Sequence, residues 1–199
     1  MSENINNREY HFAGWLDYFV NSNIITLTPS NNTTIIPRYK YPTHSNQITG
    51  YSSNSQRKII RTNSDNYLHS VYESMGMVWY ERSTDNGVTW KIMNNGSPLS
   101  QNNAKNPCLI SNGEYMVIIA FQEQNGDEFK IRIQSFNYID DIILANYSRE
   151  IHKPYTDECH PAISRAAYNS FYKIMVAWEE KDGSQWWPAG GIYYIIGDL

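Results

Sequence analysis

Residues that could bind a ligand recur where predicted strands begin and end. Glu73 and Glu179 each follow the second strand of a repeating pattern, while Arg57 and His160 each precede a first strand. The planar fork of an arginine can hold a carboxylate through two parallel hydrogen bonds. Each residue also has a plainer interpretation: a solvated strand end for the glutamates, a surface ion pair for Arg57, and a packed strand start for His160.

Two adjacent tryptophans, Trp186 and Trp187, lie in a predicted loop that contains glycine on either side of them. Flat aromatic rings with a polar edge can stack on sugar rings. The same two rings could instead cover an open end of the hydrophobic core. The sequence leaves both interpretations open.

The elements that must position these residues are short predicted strands. No helical periodicity competes with them, and turns rich in Asn, Asp, Ser and Gly separate them. Within residues 56–100 the pattern predicts a four-stranded antiparallel meander, with strands at 57–61, 68–73, 77–82 and 89–93. The chain is therefore predicted to be all-β.

The strand pattern recurs in residues 101–155 and again in residues 156–199. Each of the three units opens with a similar anchor: Lys58-x-Ile60, Pro107-x-Leu109 and Pro161-x-Ile163. A repeat of about 50 residues with several strands is typical of β-propeller blades. The shared register favours an incomplete propeller of about three blades over a β-sandwich, and it predicts that the three anchors are neighbouring inner strands.

Residues 1–55 contain predicted strands at 10–20, 23–27 and 33–41 that do not follow the repeat. Three blades fall short of the roughly four to eight that close a propeller, so this segment could close or cap the array. The third unit stops after its third predicted strand. We expect its open edge to be covered by the N-terminal segment, or else by a second copy of the chain, since unpaired strand edges promote association.

The eight residues from Ser83 to Trp90 fit the pattern S-x-D-x-G-x-T-W. They fall between the third and fourth predicted strands of their unit, where they predict a self-contained turn. Asp85 can accept hydrogen bonds from nearby backbone N–H groups, and Gly87 tolerates a positive φ. The motif resembles the Asp box, the bacterial neuraminidase repeat of sialidase-like β-propellers.

The resemblance covers about residues 56–196. It implies that Ser83, Asp85, Gly87 and Trp90 serve folding and not catalysis. It also implies that the opposite face of the blades holds the binding site, and the six candidate residues introduced above are predicted to lie on that face.

A sialidase of this family is implied to need three arginines that clamp the substrate carboxylate, a tyrosine nucleophile with a glutamate partner, and an aspartate acid/base. The chain does not display that set. The family's Phe-Arg-Ile-Pro signature is absent, and only Arg57-Lys58-Ile59 partly matches it. No catalytic residue is therefore assigned.

Composition argues against several classes of protein. A net charge of −4 and the lack of a basic run speak against nucleic-acid binding. No stretch approaches the ~18 apolar residues that span a bilayer, and the N-terminal residues do not form a secretory signal, although the resemblance suggests a secreted or cell-surface protein. Cys108 and Cys159 lack zinc-site spacing and could form one bridge or stay buried thiols. We expect no metal and no cofactor.

Three functions are compatible with these features. The favoured one is a non-catalytic or catalytically incomplete sialidase-like module that binds glycan or protein. The second is a fragment of an exo-sialidase, a glycoside hydrolase whose remaining blades complete the active site. The third is a structural domain that forms homo-oligomers through open blade edges.

Overall fold

A computed structural model describes residues 2–5, 8–15, 24, 26, 34–48, 50, 57–100, 103–113, 115–126, 128–153, 160–168, 171–180 and 191–198. These residues form four antiparallel sheets, and the helical content is limited to single turns. The all-β prediction is confirmed. Each sheet is open within the described part of the chain.

Fifteen strands build the sheets. In chain order they are β1 (Ser2–Ile5), β2 (Arg8–Trp15), β3 (Pro37–Lys40), β4 (Ile59–Arg61), β5 (Leu68–Ser74), β6 (Met77–Ser83), β7 (Lys91–Ile92), β8 (Asn103–Ser111), β9 (Met116–Asn125), β10 (Glu128–Asn137), β11 (Ile142–Ile143), β12 (Arg149–Lys153), β13 (Ala162–Tyr168), β14 (Phe171–Glu180) and β15 (Gly191–Asp198). Short helical turns occur at Met93–Gly96 and Ala145–Tyr147.

Each of the three predicted units contains one sheet. The first sheet has the order β4-β5-β6-β7, and the third has the order β13-β14-β15. In the second sheet, β8, β9 and β10 are neighbours, and both β11 and β12 pair with β10. Together with β1-β2-β3, which we call the N-terminal sheet, these make the four sheets of the described chain.

The fourth strand of the first sheet is shorter than predicted. The sequence predicts a strand at 89–93, whereas β7 contains only Lys91 and Ile92. Thr89 is held in the preceding turn by the Asp85 carboxylate. Met93 begins a tight turn whose next residues, Asn94 and Asn95, have left-handed backbone angles that no strand accommodates.

The sheets pack face to face in the order of the chain, because strands such as β9 are apolar on both faces. On β9, Val117, Ile119 and Phe121 pack against the first sheet, while Ile118 and Ala120 pack against the third. This is the two-residue alternation of a strand that is buried on both sides. The first-strand segments also touch directly, since Leu109 N donates to Arg57 O over 2.9 Å.

The N-terminal sheet packs on the outer face of the first sheet, where Ala13 joins Tyr72, Trp79 and Ile92 in one buried cluster. The strands predicted at 10–20 and 33–41 correspond to β2 and β3, and most of the strand predicted at 23–27 lies outside the described residues.

The described strands of the N-terminal segment do not pair with the open edge of the third unit, and cover by a second copy of the chain stays a prediction. Within the described residues β15 pairs only with β14. The N-terminal sheet lies instead on the first sheet, because the large apolar side chains of Tyr72 and Trp79 face outwards there and are removed from water by this packing.

Candidate functional site: a basic, aromatic groove

A groove of about 440 Å³ lies between the N-terminal sheet and the turn that joins β5 to β6. Its volume falls in the range of small-molecule sites. Basic, aromatic and small polar side chains line it: Arg8, Tyr10, Arg38, Tyr39, Lys40, Tyr41, His44, Ser45, Asn46, Ser74 and Met75.

Two strands and one loop position these side chains. Arg8 and Tyr10 are two residues apart on β2 and therefore project to the same side of that strand. Strand β3 supplies Arg38, which pairs with Gly14 of β2 at a β-bulge. The rings of Tyr10 and Tyr41 are 5.5 Å apart, which holds the end of β3 against β2.

The loop after β3 is fastened to the β5–β6 turn by hydrogen bonds. Ser45 Oγ donates to the backbone carbonyl of Glu73, and Asn46 N donates to Ser74 Oγ over 3.3 Å. The backbone N–H of Met75 donates to Asn46 Oδ1 over 2.6 Å. These bonds give the groove a fixed second wall.

Positive charge dominates the groove. The described lining contains Arg8, Arg38, Lys40 and His44 and has neither aspartate nor glutamate. The Arg8 guanidinium lies 5.2 Å from the centre of the Tyr41 ring, a distance at which the cation is attracted to the ring face. The buried Nε of Arg38 has no hydrogen-bond acceptor among the described residues. The groove therefore favours an anion.

A buried ion pair forms the floor of the groove. Lys40 Nζ lies 3.8 Å from the carboxylate of Glu81, and both side chains are buried. The Glu81 carboxylate also accepts the backbone N–H of Thr43, at 3.0 Å from each oxygen, and the hydroxyl of Tyr72. Burial lowers the pKa of Lys40 to about 8 and raises the pKa of Glu81. This junction joins β3 to β6.

Two of the candidate residues from the sequence link neighbouring sheets. The Glu73 carboxylate accepts the backbone N–H of Asn106 over 2.7 Å. The backbone carbonyl of Arg57 accepts the N–H of Leu109, while its side chain is exposed. The nearby Lys58 ammonium donates to Pro107 O over 3.0 Å. Glu73 is not part of the groove lining; its backbone carbonyl accepts the hydroxyl of the lining residue Ser45.

The other four candidates lie further along the chain. His160 is half-buried and precedes Pro161, whose carbonyl accepts a hydrogen bond from Cys108 Sγ. Glu179 pairs through its backbone with Ile192, and its side chain lies outside the described part of the structure. Trp186 and Trp187 lie outside the described residues. None of the six candidates is among the described groove lining.

The Ser83–Trp90 turn is closed by its own side chains. Asp85 accepts hydrogen bonds from Thr89 N over 2.8 Å and from Thr89 Oγ1 over 2.6 Å. Gly87, whose φ is +90°, donates from its N–H to Ser83 Oγ, and its carbonyl accepts the indole N–H of Trp90. The bonds from Thr89 and Ser83 hold the pKa of Asp85 at about 2. The turn is thus an ordered connection between β6 and β7.

A buried histidine lies at the same end of the first sheet as this turn. His69 Nδ1 is 2.7 Å from the Tyr80 hydroxyl, and its Nε2 is 3.3 Å from Thr62 Oγ1. Asp65 accepts hydrogen bonds from the Thr62 and Tyr138 hydroxyls. Burial lowers the pKa of His69 to about 4, so the ring is neutral near pH 7. The network supports packing and opens to no described cavity.

Within the described residues, no group of three or more His, Cys, Asp or Glu side chains could hold a metal ion. Cys108 is a buried free thiol whose pKa is raised to about 12 by burial, and Cys159 lies outside the described part. No helix in the described ranges is long and apolar enough to cross a bilayer.

Comparisons of the chain with protein-family models, with curated proteins and with solved structures find no match. The assignment of function therefore depends on the groove and on the arrangement of the sheets.

Sequence reasoning missed the groove because its main residues lie in the N-terminal segment, outside the repeat. Arg38 in particular follows Ile36-Pro37, an order that does not fit the family signature. A usable signal was present in the close spacing of basic and aromatic residues, at Arg8-x-Tyr10 and again at 38–41. Only the packing of β2 beside β3 brings the two segments together.

Proposed function

We propose that this chain is a non-catalytic or catalytically incomplete sialidase-like β-propeller module that binds carbohydrate. The observation that carries the binding function is the groove of about 440 Å³ lined by Arg8, Arg38 and three tyrosines. Tyrosine rings can pack against the apolar faces of sugar rings, and arginines donate hydrogen bonds to hydroxyls or anionic groups.

The arrangement of the sheets supports the propeller part of the proposal. The first sheet is a four-stranded meander, and the Ser83–Trp90 turn lies between its third and fourth strands. Successive sheets pack face to face, and their first strands contact one another through Leu109 and Cys108. Blades of a propeller pack in this manner.

The location of the groove also fits the proposal. It opens beside Ser74 and Met75, in the turn between the second and third strands of the first sheet. This end of the sheet is opposite the Ser83–Trp90 turn, and it is the end at which the family resemblance implies a binding site.

The buried state of a tyrosine–glutamate pair argues for a non-catalytic module. Tyr72 donates its hydroxyl to the Glu81 carboxylate, the kind of pair that a sialidase nucleophile requires. Both side chains are fully buried beneath the groove, and Glu81 is held by Thr43 and Lys40. A substrate could not reach the Tyr72 oxygen without unpacking the N-terminal sheet.

Binding to a panel of immobilised glycans tests the proposal. We expect the chain to bind at least one carbohydrate, with binding reduced in both the Arg8→Gln and Arg38→Gln variants. Arg149→Gln is the matched control, because Arg149 lies in the second sheet and donates to the carbonyls of its own loop. Absence of binding across the panel, or binding that neither groove variant changes, would contradict the proposal.

The exo-sialidase fragment is the second candidate, and the exposed side chain of Arg57 at a first-strand start favours it. A fluorogenic sialoside distinguishes it from the first. We expect no release of the fluorophore above a heat-inactivated control, since the chain supplies only this one arginine at the predicted clamp position. Turnover would favour the hydrolase.

The self-assembling domain is the third candidate. Within the described residues β15 has β14 as its only partner, and the paired residues Met175 and Ile196 are exposed. Light scattering over a range of protein concentrations tests this alternative. A constant monomer mass would contradict it, and a concentration-dependent increase would support it.

A further inference from the structure

We propose that the groove recognises the phosphate group of a phosphorylated sugar. This inference rests on the proposed carbohydrate binding and adds the chemical class of the ligand. It follows from the charge balance of the groove, from the hydrogen-bonding capacity of its arginines, and from the rings beside them.

The charge of the groove matches a dianion. Lys40 is balanced by the buried carboxylate of Glu81, 3.8 Å away. Arg8 and Arg38 also line the groove, and the described lining contains no carboxylate to balance them, which leaves two positive charges at the groove. A phosphomonoester carries roughly −1.5 to −2 charges near pH 7, whereas a sugar carboxylate carries one.

The hydrogen-bonding capacity of the arginines also favours a phosphate. Guanidinium groups present several N–H donors in a fixed fork that suits phosphate oxygens. The buried Nε of Arg38 has no acceptor among the described residues, so it does not fix the guanidinium of this lining residue to a protein group. Arg8 is oriented by its contact with the Tyr41 ring, 5.2 Å from the ring centre. Its freedom is therefore already reduced before a ligand binds.

The tyrosines favour a ligand in which the phosphate is attached to a ring. Tyr10, Tyr39 and Tyr41 line the same cavity as the two arginines. The cavity of about 440 Å³ is large enough for a small ring compound with one phosphate. The charge and the rings together favour a sugar phosphate over a free anion.

Titration calorimetry at fixed ionic strength tests the inference with glucose 6-phosphate, glucuronic acid, glucose, O-phosphoserine and inorganic phosphate. We expect glucose 6-phosphate to bind about tenfold or more tightly than each of the others. Glucose and glucuronic acid lack the charge-assisted hydrogen bonds of the phosphate, whereas inorganic phosphate and O-phosphoserine lack the ring that packs on the tyrosines. Arg38→Gln and Arg8→Gln should each weaken its binding about tenfold. Arg149→Gln should leave it unchanged. Thermal melting of each variant shows that it is folded.

The outcomes separate this inference from the proposed function. Equal binding of glucuronic acid and glucose 6-phosphate would overturn the phosphate inference and leave carbohydrate binding in place. Binding of inorganic phosphate or O-phosphoserine as tight as that of glucose 6-phosphate would overturn the sugar part, and with it the proposed function at this groove. If no probe binds, the phosphate inference fails, while the wider glycan panel still tests carbohydrate binding.

Discussion

Single carboxylates and imidazoles have local roles that their hydrogen bonds define. Asp85 accepts two bonds from Thr89 and one from the Ser83 hydroxyl, so it closes the turn between β6 and β7. His69 is enclosed by Tyr80 and Thr62 and stays neutral. Neither residue touches the groove. Changes at both should therefore alter stability while leaving ligand binding intact.

Asp85→Ala should lower the thermal melting temperature by several degrees, because Thr89 N–H and the Ser83 hydroxyl lose their acceptor. Asp85→Asn keeps one acceptor oxygen and should show a smaller decrease. The folded-state pKa of Asp85 is about 2, below its unfolded value, so the stabilisation is present above pH 4 and is lost as the pH falls towards 2. An unchanged melting temperature in Asp85→Ala would contradict the structural role.

His69 should make the protein less stable in mild acid. Its pKa is about 4 in the folded state against 6.5 when unfolded, so the neutral ring stabilises the fold above pH 6.5. That contribution, about 3 kcal/mol in full, is lost as the pH falls from 6.5 through 4. Urea unfolding at pH 7, 5 and 4 measures the decrease. An NMR titration of the His69 ring with a midpoint near pH 6.5 would contradict it.

At the scale of the strands, the junction between β3 and β6 is a buried group of charged and polar side chains. Glu81 binds Lys40, Thr43 and Tyr72 in a space closed to water. A buried charge that loses its partner costs far more than a pair replaced as a whole. The junction therefore predicts different outcomes for single and double substitutions.

Glu81→Ala should destabilise the protein by about 3–5 kcal/mol near pH 7, because the Lys40 ammonium is left buried without its counter-charge. The pKa of Lys40 is already lowered to about 8, so the loss should be smaller at pH 9, where the amine is largely neutral. The double variant Lys40→Met, Glu81→Leu is the control and should recover much of the stability. Urea unfolding followed by circular dichroism measures all three proteins, and equal losses in the single and double variants would contradict this account.

The strands themselves could be predicted from the sequence, and the groove could not. Turn residues and apolar alternation are local signals, so 68–73 and 77–82 were placed within a residue or two of β5 and β6. Glu73 was placed correctly at a strand end, yet its carboxylate caps the Asn106 N–H instead of facing a ligand. Arg8 and Arg38 come to line one groove only after distant segments pair, which no local pattern records.

For the whole molecule, the N-terminal sheet has two roles. It covers Tyr72, Trp79 and Ile92 on the first sheet, and together with the loop that follows β3 it supplies most of the groove lining. Folding and the proposed ligand binding therefore depend on the same segment. A change that detaches this segment should affect both.

Deletion of residues 1–50 should give an aggregating or partly unfolded product. The deletion exposes Tyr72 and Trp79 and removes Lys40 from beside Glu81. Size-exclusion chromatography with light scattering and tryptophan fluorescence would report the aggregation and the exposure. A monodisperse, fully folded monomer would contradict the covering role.

The face-to-face packing of successive sheets has a consequence for how the chain unfolds. Each described buried cluster joins two sheets that follow one another in the chain, as in a linear array with nearest-neighbour coupling. Buried clusters pack against both faces of the second sheet, whereas one described cluster packs against the third sheet. Amide protons of β14 should therefore exchange with deuterium sooner than those of β9, through openings that begin at the end of the array.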